Sequence, residues 1–387
     1  MSLPTPSLER SAASESVSRV SPTTSTAILS RSLQSLETLR IVAALLVVCA
    51  HVPAYDIPVI GWWLGANRFV GSIGVDLFFV ISGVVIGLST VRALSSPSAQ
   101  RPLVQFLISR AFRIVPLYWI VTAATVLLLW RKGLPLPSVP ELLHSLTLIP
   151  RLDQMQYADP IVHIGWTLQF EVFFYALCAL AIAFRAKWLP MVVAVLLAGA
   201  SLVVDQYYFN PILLEFAGGY ALALHLARQS HLSARLSAVP ALLMVIGAVA
   251  LFLLGATGRD GGYPAELDLG HAPRMVIAFG DVLLPRWIAW GLPAWAVVAV
   301  ALRLESSFNW RLAFLGKYTY SVYLCHTFAI SLALILPRRA GAEVWMLALL
   351  PVSLLVVAGI TYRAIEHPMI QTGKRLADRL RHSPAAP

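Results

Sequence analysis

Two residue types that do chemistry near neutral pH close the run RIVAALLVVCAH, residues 40–51, with a guanidinium at Arg40 and an imidazole at His51. An imidazole titrates near neutrality and serves as a general acid or base. A guanidinium is a permanent cation suited to phosphoryl oxygens. Everything between them is apolar, as in a membrane helix. On such a helix the two lie within roughly 20° of one another around the axis and about 16 Å apart along it. They are either the incidental ends of a span or two fixed points of a site that works across the bilayer.

Three further segments repeat the pattern of one ionisable group in an apolar run. GSIGVDLFFVISG (71–83) places Asp76 about 7–8 Å below the outer end of its span, and GWTLQFEVFFY (165–175) places Glu171 about 9 Å in. LGKYTYSVYLCH (315–326) places His326 about 15 Å after Gly316 from the inner side. Four spans thus each send one titratable side chain into a band in the middle-to-outer bilayer. Charged groups there are costly and mark a pathway or a site; for any one of them alone, a helix–helix hydrogen bond or an interfacial anchor is the plainer reading. At the inner face, FLISRAFRIVPLYW (106–119) puts Arg110 and Arg113 on one side of a helix, followed by Pro116 and Tyr118. They are a positive-inside anchor or a clamp for phosphates. TYRAIEHPMI (361–370) brings Arg363 and Glu366 to the same face, where they can pair with each other.

The elements that must position these residues follow from composition. Of 387 residues, 58% are hydrophobic and 12% charged, and mean hydropathy is +0.75. A soluble domain averages about 45–50% apolar and about 25% charged residues. The expected fold is all-α, a polytopic membrane protein of ten spans near 36–53, 71–91, 112–130, 164–184, 188–204, 211–228, 238–256, 285–303, 312–336 and 344–363. Residues 1–35, rich in Ser, Thr and Pro, read as a disordered tail without the apolar core of a secretory signal. Residues 36–370 form the membrane domain and 371–387 a basic tail. Placing both termini in the cytoplasm puts roughly twenty of the Lys and Arg residues inside. The net charge of +10 is then a topology signature with attraction to anionic lipid, not a nucleic-acid footprint. Cys49, Cys178 and Cys325 all fall inside spans with no CxxC spacing, as packing residues; no metal site is expected. Outside, Ser138 and Glu141 form a capping-box start for a short helix over the mouth, and the Gly- and Asp-rich stretch 257–284 is suited to a polar entrance.

Taken in order, six motifs resemble the membrane-bound acyltransferase-3 family, bacterial integral-membrane enzymes that move acyl groups from acyl-CoA onto sugars. They are Arg40 with His51; GVDLFFVISG (74–83); Arg110, Arg113, Ile114, Pro116 and Tyr118; Trp166, Leu168, Glu171, Phe174 and Tyr175; Tyr320 to His326; and Tyr362, Ile365, Glu366 and Pro368. Within the family the chain is most similar to the exopolysaccharide O-acetyltransferases, although Gln169–Phe170 departs from the Asn–Tyr expected there. Many relatives carry a hydrolase-like domain after the last span; none is expected here, so transfer falls to the membrane part or to another chain.

The resemblance implies an enzyme of the bacterial inner membrane that uses acetyl-CoA, or another short acyl-CoA, as co-substrate and binds no cofactor. Its acceptor would be a glycan or lipid-linked oligosaccharide, with polysaccharide-assembly proteins as possible partners. Arg40, Arg110, Arg113 and Tyr118 would bind the acyl-CoA, and His51 would take the proton of the attacking sugar hydroxyl. Glu171 or Asp76 would fix the imidazole tautomer, by the logic of a triad. His326 and Trp166 would serve the acceptor or the oxyanion, and Arg363 and Glu366 the structure of the inner face. A covalent acyl-His51 intermediate is the two-step alternative. The rival readings are a proton-coupled transporter or flippase of a glycan precursor and a structural subunit of an export assembly.

Overall fold

The computed structural model describes residues 33–52, 73–96, 100–153, 156–204, 206–228, 242–247, 276–279, 282–305, 311–335 and 342–382. Helices carry the architecture: α1 (Gln34–His51), α2 (Ile73–Leu94), α3 (Gln100–Arg131), α4 (Val139–Thr147), α5 (Gly165–Ala183), α6 (Leu189–Ala200), α7 (Leu213–Arg228), α8 (Leu292–Arg303), α9 (Thr319–Ile335), α10 (Ala342–Thr361) and α11 (His367–His382). The all-α expectation needs one amendment. Two antiparallel ribbons join the helices, β1 (Arg151–Asp153) with β2 (Gln156–Ala158) and β3 (Val276–Phe279) with β4 (Val282–Pro285). Strands of three or four residues are too short for an alternating pattern to stand out in sequence.

Among the described residues, five helices are long and apolar enough to cross a membrane: Gln34–His51, Ile73–Leu94, Arg101–Arg131, Gly165–Ala183 and Ala348–Leu380. Every expected span except the seventh overlaps a described helix along most of its length. The seventh is described only over 242–247, which are helical. The helices α6, α7, α8 and α9, of 12, 16, 12 and 17 residues, are shorter than the roughly 20 residues of a full crossing. Exposed Trp119, Ile120 and Leu127 on α3, Val195 and Leu196 on α6, and Leu355 and Ile360 on α10 present apolar side chains outward. Such a surface suits lipid rather than water. The expected tail at 1–35 lies outside the described residues apart from 33–35, and the entrance stretch 257–284 is described only at its ribbon.

Small residues set the closest packing. Gly83 of α2 faces the Phe216 carbonyl and Gly219 of α7 faces the Val80 carbonyl, each so near that a Cβ would collide with main chain. Gly87 meets Ala223 one turn on. Small residues four apart on both helices bring two backbones together in this way. Around that seam Phe79, Phe170, Phe174, Phe216 and Tyr220 are buried and form a continuous aromatic core. The helix α1 lies against α2, where Gly74 meets the Ala43 carbonyl, and against the 3₁₀ turn Ala313–Tyr318, where Gly316 meets Glu37.

At 32 residues, α3 is about 48 Å long, half again the roughly 30 Å of a hydrocarbon core. Its first third packs Phe106 into the core and carries α11: Gln105 donates to the Ala377 carbonyl at 3.2 Å, and further along Gly373 rests on Phe112. Residues expected as a basic tail are therefore helical as far as His382. A π-helical turn, Tyr362–Glu366, joins α10 to α11 without a break. Past the middle of α3, Trp119 donates to the Leu146 carbonyl at 2.9 Å and fastens α4 to it. The capping box of α4 is present as the sequence suggests, with Ser138 and Glu141 bonded reciprocally.

Candidate active site

His51 is the last residue of α1. Its Nδ1 lies 2.8 Å from the Val47 carbonyl oxygen one turn back. A carbonyl only accepts, so Nδ1 carries the hydrogen and the lone pair of the neutral ring sits on Nε2. His326, in the middle of α9, repeats the arrangement, with Nδ1 donating to the Tyr323 carbonyl at 2.6 Å. The two rings meet edge to face with centroids 4.7 Å apart. His326 is fully buried, and among the described residues its Nε2 has no hydrogen-bond partner. A buried nitrogen left without a partner costs about 1–3 kcal/mol. The expected meeting of α1 and α9 at one level is what the structure contains.

A cavity that neither imidazole lines opens between α1, α2, α3, α5 and α9, bounded by Arg40, Ser82, Arg110, Arg113, Glu171, Tyr175, Tyr320 and Tyr323 among others. Glu171 accepts from the Tyr175 hydroxyl at 2.6 Å and from Ser82 at 3.3 Å. Arg40 bridges Glu37 at 3.0 Å. Arg110 donates to Ser89 and lies over the Phe106 and Tyr175 rings. Arg113 is enclosed, with Tyr175, Glu366, Glu171 and Glu37 as its electrostatic neighbours. Glu366, turned inward by the π-turn, accepts from Ser321 at 2.6 Å. Arg40, Arg110, Arg113 and Glu171 are the ionisable residues of its lining, and Glu37 and Glu366 lie outside it, bonded to Arg40 and Ser321. Phe78 and Tyr323, ring to ring at 5.3 Å, are part of its wall, and Tyr323 lies one turn before His326 on α9.

The remaining expected residues lie elsewhere. Neither Glu171 nor Asp76 is bonded to an imidazole, so main-chain carbonyls, not a carboxylate, fix both tautomers. Asp76 is fully buried and takes two bonds from Arg286, at 3.0 and 2.8 Å. Tyr118 sits buried under Gly165, whose missing Cβ leaves room for its hydroxyl, and does not line the cavity. Trp166 is half-buried against Phe79 and Phe170, beside the cavity-lining Thr167. Arg363 is exposed while Glu366 points in, and no ion pair joins them.

Two residues escape the sequence reading. Arg286 stands at the edge of the eighth expected span, immediately before a π-turn, Trp287–Gly291. Glu215, near the start of the sixth, is 4% exposed, and Gly291 leaves its carboxyl group space that a side chain would fill. An ionisable residue in an apolar run is a sufficient signal for Glu215. Arg286 has none, because a charge at a span's edge looks like an anchor. Outside the membrane elements, on the turn entering α5, His163 bonds Asp159 through Nδ1 at 3.0 Å. That hydrogen bond, with the Asp159 charge behind it, raises the imidazole above its ordinary range.

Comparison with known proteins agrees with this geometry. An acyltransferase-domain family model, Acyl_transf_3, matches residues 33–363. The "Exopolysaccharide production protein ExoZ" of Rhizobium meliloti (strain 1021) is 30% identical over 329 residues, covering 80% of this chain and 93% of that protein. No solved structure matches. With the family model running from α1 to the π-turn that carries Glu366, and every cavity-lining residue inside it, the chain belongs to the Acyl_transf_3 acyltransferase family.

Proposed function

We propose that the chain is a multi-pass inner-membrane O-acyltransferase that moves an acetyl or other short acyl group from acyl-CoA to a sugar hydroxyl of an exopolysaccharide or related envelope glycan. Ten spans with both termini in the cytoplasm put the arginine end of the cavity inside and His51 in the outer half. The observation that carries the reading is the pair of contacting imidazoles, each with its Nδ1–H held by a main-chain carbonyl, one turn of α9 from the Tyr323 that lines an arginine-bearing cavity. The name of the Rhizobium meliloti relative supports an exopolysaccharide as acceptor.

In this reading the anionic head of acyl-CoA stays at the inner rim near Arg110, and the pantetheine arm enters past Arg40 and Arg113. The thioester then reaches His51. Its Nε2 takes the proton of the sugar hydroxyl as the oxygen adds to the thioester carbon. The adduct collapses to the ester, expels the CoA thiolate, and the imidazolium returns the proton to sulfur. His326 presents an acceptor nitrogen, so it receives a hydroxyl hydrogen and does not serve as an oxyanion donor.

General-base catalysis contributes typically about 10²–10⁴-fold. Purified protein supplied with acetyl-CoA and de-O-acylated polysaccharide should release free thiol, and His51→Ala should lower that rate at least about 100-fold with thermal unfolding unchanged. Wild-type-like release by the variant removes His51 from the chemistry. Absence of release by the native chain removes the transferase.

A further inference from the structure

We propose that His163, held by Asp159, is a positioning residue that receives the acceptor sugar beside His51. The inference rests on the transferase reading and deepens it.

Tyr323 connects the parts. Its hydroxyl is 2.6 Å from Thr167 Oγ1 and donates to the Ile164 carbonyl at 3.4 Å, which holds the turn before α5 against α9. Its own carbonyl receives the Nδ1–H of His326, whose ring meets His51. Tyr323 thus bonds both His326 and the residue that follows His163, and the three imidazoles are graded from fully buried His326 through half-buried His51 to exposed His163. His163 is near enough to His51 for the two rings to interact electrostatically.

The platform under His163 is fixed at several points. The Ile161 amide donates to Ser145 at 2.6 Å, the Gly165 amide donates to the Val162 carbonyl at 2.7 Å, and Pro160 abuts Gly165. Yet the pair it carries is open to solvent, with His163 65% and Asp159 58% exposed at the side chain. An exposed pair of this kind contributes little to stability. It does set a donor and an acceptor side by side, the combination that neighbouring hydroxyls of a sugar ring bond to. A rigid turn bearing an exposed, oriented donor–acceptor pair beside the base is built for holding the acceptor, not for holding the fold.

The test uses the full chain in lipid nanodiscs with acetyl-CoA and de-O-acylated polysaccharide, following free thiol. His163→Gln should raise the polysaccharide KM about tenfold, the scale of one charge-assisted hydrogen bond, and leave the acetyl-CoA KM and thermal unfolding unchanged. Asp159→Asn should move the same constant in the same direction by less. An unaltered polysaccharide KM, an equal rise for both substrates, or a loss of thermal stability overturns the assignment. Native protein that consumes no acetyl-CoA refutes instead the transferase reading beneath it.

Discussion

Asp76 and Ser82, on successive turns of α2, each border a buried polar cluster, and the clusters are built on opposite plans. Around Asp76 the groups face one another: Arg286 gives two bonds to one carboxylate, Glu215 lies alongside, and Gly291 closes the space behind. Around Ser82 the groups face a cavity: Glu171, Arg110 and Arg113 line open volume, and their partners are hydroxyls and rings at its walls. A charge buried in a membrane bundle can thus be consumed in joining helices or kept available to a ligand. What separates the cases is unfilled space beside it, which composition and spacing do not encode.

Substitutions that break each cluster sharpen the contrast. Asp76→Asn should have the largest effect on the fold, because it leaves Arg286 without its bidentate partner. Removing one member of a buried pair costs about 3–5 kcal/mol, seen as a fall in thermal unfolding temperature in detergent. Arg110→Ala should instead leave unfolding near native and raise the acetyl-CoA KM about 10–100-fold, since an interaction with a charged group is worth about 1.5–3 kcal/mol. A loss of stability equal to that of Asp76→Asn would make Arg110 a member of the closed kind. The smallest change is expected from Glu215→Gln. One guanidinium stands there for two carboxyl groups, so a neutral amide fits, with a cost of no more than about 1 kcal/mol. Destabilisation matching Asp76→Asn would mean that Arg286 needs both carboxylates.

This contrast also measures what the sequence makes legible. The helices announce themselves through apolar length, the α4 start through Ser138 and Glu141, and the level of His51 with His326 through rise per residue. Those features are local or one-dimensional. The partners of Asp76 and Glu171 are not, because Arg286 and Ser82 reach them across 210 and 89 residues respectively. The four ionisable groups expected at one depth divide three ways: two are imidazoles in contact, one carboxylate belongs to the cavity and one to a lock. The tautomers are likewise settled by helix carbonyls at i−4 and i−3, a choice of rotamer that spacing leaves open. Gln169, flagged as a departure from its relatives, is bonded to Tyr207 across the aromatic core; the substitution has found a partner without entering the cavity.

The π-turn between α10 and α11 has a mechanical consequence. It admits one residue more than an α-helix would, and each residue turns the rod by roughly 100°. The same extra residue that aims Glu366 at Ser321 also sets which face α11 offers to the first half of α3. The polar interior and the basic surface helix therefore share one phase, and loss of a single residue at the junction would turn both contacts out of register at once.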